Sequence, residues 1–141
     1  MIRVAIDAMG GDHTPGVIVD GAVAAARHLD VRLALVGPTS ALEAHRDWRA
    51  LGIQIVDAPD VVAMGDPPSG LSRRAFRRFR RRLDCSEYGA APLLGVAGLT
   101  LVGHGRSSVK AVRNAIAMAY RFATSHFIDR IELDIAAATV S

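Results

Sequence analysis

Val4-Ala5-Ile6-Asp7-Ala8-Met9-Gly10-Gly11-Asp12-His13 decides how the rest of the chain is read. It opens as a short apolar run of strand type and stops at paired glycines flanked by aspartates. A helical pattern follows from Pro15, whose missing N–H suits a first helical turn, with Thr14 as its cap. Strand, glycine turn and helix start are the parts from which α/β folds build an anion site. Glycine lets the backbone turn tightly and approach a ligand with no Cβ in the way. The first amides of the following helix point outward, with the positive end of its dipole behind them. The stretch matches neither G-x-G-x-x-G nor a phosphate loop with its lysine. Generic motifs therefore do not name the ligand, and the same glycines equally serve a tight turn that binds nothing.

Outward from this turn, Ile2 to Ala8 reads as a buried strand. Ile18, Ala22, Ala25 and Leu29 recur at helical spacing, with Val19, Val23 and Ala26 beside them, and Asp30 ends that helix. Val31 to Val36 is a second strand, stopped by Gly37-Pro38. Thr39 or Ser40 caps the next helix, with Glu43 closing a capping box on Ser40; this helix runs to about Leu51 and stops at Gly52. Ile53 to Val56 is a third strand. The order β-α-β-α-β with short turns predicts parallel strands and right-handed crossovers, half of a doubly wound sheet.

Residues 57–70 are rich in proline and glycine and read as a loop. Asp60 and Asp66 lie there, either facing the crevice at the strand ends or in a solvated connector. Residues 71–83 read as a helix with Phe76, Phe79 and Leu83 on one side and arginines on the rest. Residues 84–91 are irregular; Pro92 to Val96 and Leu99 to Val102 read as short strands. Gly103-His104-Gly105-Arg106-Ser107-Ser108 is then a second strand-to-helix junction with glycines, where Ser107 or Ser108 can cap the helix. Val109, Val112, Ile116, Ala119 and Ala123 form the stripe of that helix, and Ile128 to Val140 continues as a final one. The expected fold class is α/β: a three-layer α/β/α sandwich with a mainly parallel, Rossmann-like sheet of about five strands. It forms one domain over residues 1–141, made of a 1–70 unit, the 71–83 helix and an 84–141 part.

At 141 residues, half of them hydrophobic, the chain is long enough for one real core and belongs to the folded class. No apolar run approaches the ~20 residues of a membrane span, and an N-terminus that enters a strand directly does not read as a signal peptide. Cys85 is the only cysteine, which excludes an intrachain disulfide and fits a reducing, cytoplasmic setting. Residues 73–82 carry seven arginines against a whole-chain net charge of +3, so the remainder is net −4 and the basicity is one patch. Such a basic amphipathic helix can lie on an anionic membrane surface, dock an acidic partner, or remain a solvated face. No nucleic-acid motif accompanies it, so nucleic acid is not expected. No metal constellation is found.

Ile6-Asp7-Ala8-Met9-Gly10-Gly11-Asp12-His13 resembles the opening signature of the PlsX family, the bacterial phosphate acyltransferases of phospholipid synthesis. The resemblance continues through Val36-Gly37, Asp57-Ala58-Pro59 and Met64-Gly65-Asp66-Pro67-Pro68. It resumes from about Arg77 to Arg130, above all in Leu83-Asp84-Cys85-Ser86-Glu87-Tyr88-Gly89-Ala90-Ala91-Pro92-Leu93-Leu94-Gly95-Val96 and Gly103-His104-Gly105. PlsX chains are well over twice as long. The family's central segment is missing here, and the two matched pieces meet near Leu71 to Ala75, so the chain reads as both ends of such a protein joined directly.

The resemblance implies transfer of a fatty acyl group from acyl carrier protein to inorganic phosphate, giving an acyl phosphate, with no cofactor. Such a site must hold phosphate and stabilise an oxyanion at the thioester carbon, which backbone amides at helix N-termini can do. Gly10, Gly11 and His13 would form one wall and Gly103, Gly105, Arg106 and Ser107 the other. Asp12 or His104 would act as the catalytic group that orients a proton or hydroxyl. Arg77, Arg78, Arg81 and Arg82 would meet a partner: acidic acyl carrier protein or, peripherally, a membrane. A homodimer is also implied. Two alternatives stay open: a phosphate- or acyl-phosphate-binding remnant without turnover, and an interaction module built on the arginine-rich helix.

Overall fold

The computed structural model describes residues 1–12, 15–45, 48–59 and 89–139. Within them the fold is α/β. Strands β1 (Ile2–Asp7), β2 (Val31–Gly37) and β3 (Gln54–Asp57) form a parallel sheet in the order β1-β2-β3. The register pairs Ile6 with Leu35 and Leu35 with Ile55, so the apolar residues of all three strands share one face. Helix α1 (Gly16–Ala26) links β1 to β2, and α2 (Thr39–Glu43) with a 3-10 turn at Arg49–Leu51 links β2 to β3. The parallel β-α-β-α-β order is thus the one expected from the sequence.

The second helix is shorter than its pattern suggests, and the reason is local. The indole N–H of Trp48 donates to the Leu42 carbonyl at 3.2 Å, taking an acceptor that a continuing helix would use. Arg49 lies 5.1 Å over the Trp48 ring and pairs with Glu43 at 3.2 Å. Glu43 is therefore turned toward Arg49, and the helix N-terminus makes no side-chain cap bond of its own. Gly52, at φ +66°, ends the 3-10 turn as expected of a left-handed stop. Similarly, α1 ends at Ala26, before Asp30, and starts after Pro15; Thr14 lies outside the described residues.

The C-terminal part begins with a two-stranded antiparallel sheet, β4 (Ala90–Leu93) on β5 (Thr100–Gly103), with Ala90 opposite Gly103. The first strand sits two residues earlier than Pro92 to Val96 because pairing with β5 sets its limits. Pro92 is tolerated there because each strand of a two-stranded sheet is an edge. Helices α3 (Val109–Thr124) and α4 (Phe127–Thr139) follow. Ser108, rather than Ser107, caps α3, its hydroxyl oxygen accepting from the Ala111 N–H at 3.2 Å. The chain breaks between these helices at His126, φ +51°, where Phe122 and Phe127 stack at 4.2 Å.

One core joins the two parts. Ala8, Val19, Ala22, Leu33, Leu35 and Leu42 are buried together with Val112 and Ile116 of α3. Helix α3 crosses α1 so closely that a Cβ on Gly21 would lie 2.5 Å from the Val112 side chain. Gly89, at φ +77°, presses on the backbone of α3 at Ala111 and Ala115, where no side chain fits. The buried residues of α3 are Ala111, Val112, Ile116 and Met118, a narrower stripe than the expected one, and Val109 at its start is exposed.

The sheet has one covered and one open face among the described residues. Arg3, Ala5, Asp7, Arg32, Gln54 and Val56 are exposed, whereas Leu33 and Leu35 are buried and Val4 and Ile6 pack on the core. Strand β1 is therefore alternating, not buried on both faces. A sheet that grows in one direction through same-handed crossovers carries its helices on one side, and the described residues supply that layer. The edge of β1 away from β2 pairs with no described strand. No helix among the described residues is long and apolar enough to cross a membrane.

Candidate functional site

Both glycine turns lie at the C-terminal ends of strands, where ligands bind in open α/β sheets. The first is held by Asp7, the last residue of β1, whose carboxylate accepts the Met9 N–H at 2.9 Å. A short polar side chain that bonds its own backbone two residues on is a standard way to set a turn. The other carboxylate oxygen stands close by: a Cβ on Gly10 would sit 3.0 Å from Asp7 Oδ2. A larger residue at position 10 would need the Asp7 carboxylate to shift by a few tenths of an ångström.

The second turn is closed on His104. Its carbonyl accepts from the Ser107 hydroxyl at 2.6 Å and from the Ser107 N–H at 2.9 Å. Its ring Nδ1 accepts the Arg106 N–H at 3.1 Å. With Nδ1 as acceptor, the neutral ring carries its proton on Nε2.

The structure brings the two turns together. The Asp12 N–H donates to the Gly105 carbonyl at 2.7 Å, and Asp12 Oδ2 lies 3.6 Å from Arg106 Nε. Asp12, Gly105 and Arg106 are thus in contact although they come from opposite ends of the chain. Gly10 and Gly11 lie on the strand side of Asp12, and Gly103, His104 and Ser107 surround Gly105. His13 lies outside the described residues, as do Asp60, Asp66, Cys85 and the whole 71–83 segment with Arg77, Arg78, Arg81 and Arg82.

One polar pair at the same end of the sheet was not singled out from the sequence. Asp57, the last residue of β3, accepts from the Thr39 hydroxyl at 2.7 Å and from the Thr39 N–H at 2.9 Å. It caps α2 from the neighbouring strand, which Gly37–Asp57 pairing in the parallel register makes possible. The Thr39 hydroxyl bond and then the Thr39 N–H hold the Asp57 carboxyl below its ordinary value, against a small opposing effect of burial. The legible signal was an aspartate ending one strand beside a strand that ends in Gly-Pro-Thr.

Comparison with known proteins agrees with this arrangement of two ends. The model of the family described as "Fatty acid synthesis protein" matches in two segments, residues 2–75 and 70–130, which meet at residues 70–75. A phosphate acyltransferase of Acidobacterium capsulatum is 54% identical over 67 residues, covering 48% of this chain and 20% of that protein. One of Gloeobacter violaceus is 40% identical over 101 residues, covering 70% of this chain and 30% of that protein. One of Koribacter versatilis is 49% identical over 69 residues, covering 49% and 19%. The matches thus span less than a third of the length of these curated relatives. With both segments of the family model in place, the chain belongs to the fatty acid synthesis protein family, that of the PlsX phosphate acyltransferases.

Proposed function

We propose that the chain transfers a fatty acyl group from acyl carrier protein to inorganic phosphate. The observation that carries this reading is the joining of the two glycine turns, Asp12 to Gly105 and Arg106, at the strand ends. In this reading a phosphate oxygen attacks the thioester carbonyl carbon, the C–O bond to phosphate forms and the C–S bond breaks. The products are an acyl phosphate and the thiol of the carrier, which takes up a proton. Main-chain amides of the first glycine turn stabilise the oxyanion and hold phosphate, and the Arg106 guanidinium adds a charged, fork-shaped donor from the second turn. Because its Nδ1 is engaged by the Arg106 N–H, His104 offers Nε2–H as a hydrogen-bond donor to the oxyanion or the departing sulfur, while the proton that the thiol takes up is the one released by the attacking phosphate. Alignment of the two substrates supplies much of the remaining rate. His13 completes the first wall, the arginines of 71–83 receive the acidic carrier, and a peripheral membrane contact and a homodimer belong to the same proposal.

The test is acyl-phosphate formation from long-chain acyl-[acyl carrier protein] and phosphate by the purified chain. Turnover that is abolished by Gly11→Val supports the reading. Full turnover in His104→Ala removes His104 from it. A second reading is phosphate binding without turnover, since among the described residues β1 has no strand paired on its outer edge beside the first glycine turn. In the family's doubly wound fold a crevice takes walls from several strands. Phosphate-dependent melting without product selects that reading.

A further inference from the structure

We infer that Asp12 is a positioning residue: it latches the His104 loop to the first glycine turn, fixes the spacing of the two walls, and takes no part in proton transfer. The inference rests on the proposed transfer to phosphate for what the walls hold, while the latch itself stands on geometry.

The loop at residues 104–107 is internally closed. The Ser107 hydroxyl and N–H both donate to the His104 carbonyl, and the Arg106 N–H donates to His104 Nδ1. Ser108 then caps α3, so the loop is continuous with a helix packed into the core. A unit of this kind moves as a body. Its position relative to the first turn is set where the two meet, and two contacts of different kinds meet at one residue. The Asp12 main-chain N–H reaches Gly105 at 2.7 Å, and the Asp12 carboxylate faces Arg106 Nε at 3.6 Å.

The division of labour follows from the chemistry of each group. The main-chain bond gives the register of turn against loop. The carboxylate aims the guanidinium, which would otherwise sample many rotamers, since the Arg106 side chain is 76% exposed and that of Asp12 is 46% exposed. An ion pair this exposed adds little to stability in water. Its consequence is therefore local: without it the fold persists, but the loop and its arginine lose their fixed aim. The carboxylate also balances the Arg106 charge beside the turn when no anion is bound. Turned toward Arg106, the Asp12 carboxylate is left out of proton transfer.

The experiment uses the full chain and the variants Asp12→Asn, Asp12→Glu, Arg106→Gln and the Asp12→Asn/Arg106→Gln double. Hydrogen exchange of the peptide spanning 103–108 is read together with thermal melting. Each single neutral variant is expected to exchange several-fold faster with melting unchanged. The double should go no faster than either single, and Asp12→Glu should restore much of the protection. In turnover, Asp12→Asn is expected to lose about tenfold in kcat/KM, mostly through KM for phosphate, within the range that a misplaced wall costs. Both limbs of its pH–rate profile should remain. Exchange unchanged in both singles, or additive in the double, overturns the latch. Loss of one pH limb in Asp12→Asn overturns the exclusion from proton transfer. If the parent chain makes no acyl phosphate, the acyl-transfer reading fails alone, and the exchange result still decides the latch.

Discussion

Leu35, in the middle of the parallel sheet, has no solvent exposure; Leu133, on the last helix, is 70% exposed. The β-α-β-α-β unit of residues 2–57 supplies most of the core over the covered face of the sheet. The C-terminal part does not. Its hairpin leaves Leu93, Leu94 and Val96 exposed, and α4 leaves Leu133 and Ile135 exposed. What anchors it is one helix, α3, whose Val112 and Ile116 enter the core of the other part. Two segments that match the family separately are thus unequal partners in this fold: one supplies the core and the other completes it. The same asymmetry runs through the site. The first turn follows a strand whose next residue, Ala8, is buried in the core, and the second is brought to it by α3 and fastened at Asp12.

Removing the centre of the first part should have the largest effect. Leu35→Ala leaves a cavity in a fully buried place and is expected to cost about 2–5 kcal/mol in chemical denaturation. Leu133→Ala, on the exposed helix, should stay within about 0.5 kcal/mol. Similar losses at both positions would break the comparison. The joint between the parts comes next. Gly21→Val would drive a side chain into Val112 and is expected to cost about 1–3 kcal/mol. The loss should appear first in probes of α3 and the hairpin. A uniform loss in both parts would mean that they share one cooperative unit more fully than their burial suggests.

Two smaller effects sharpen the contrast between local and non-local caps. Ser108→Ala removes a cap made within α3 and should cost about 1 kcal/mol, read by denaturation. Asp57→Asn touches a cap made across strands. The Asp57 carboxyl titrates below its ordinary value in the folded chain, so the unfolded chain binds the proton more readily. The stability it contributes is fully present above the ordinary carboxylate value and is lost as the pH falls through the lowered folded value. The variant should therefore be less stable than the parent at neutral pH, by a small amount because the group is exposed. The gap should close in acid. A gap that persists at low pH would assign the effect to packing around Thr39.

Much of the fold was legible because its signals are local. Strand, glycine turn, helix and strand again can be read from Ile2 to Asp57 by period and punctuation alone. The second glycine junction was legible in the same way. Other features depend on partners far away in sequence. The N-terminus of the second helix is served by Asp57, eighteen residues on, rather than by Ser40 with Glu43. The limits of β4 come from its pairing with β5. Strand β1 reads as a buried strand with few polar residues, yet it is exposed on one face, because burial depends on which layers stand beside it. Gly89 gives no sign in the sequence of the helix it must let pass.

By itself the sequence determined the α/β order, the two glycine turns and membership of a family whose signatures lie in both segments. These rest on neighbours in the chain, where spacing and residue type act directly. Only the tertiary structure decided that Asp12 meets Gly105 and Arg106, that α3 anchors the C-terminal part across Gly21, and which face of the sheet is covered. Those outcomes are contacts between distant residues. They exist only when the core that brings them together has formed, so no local pattern can carry them.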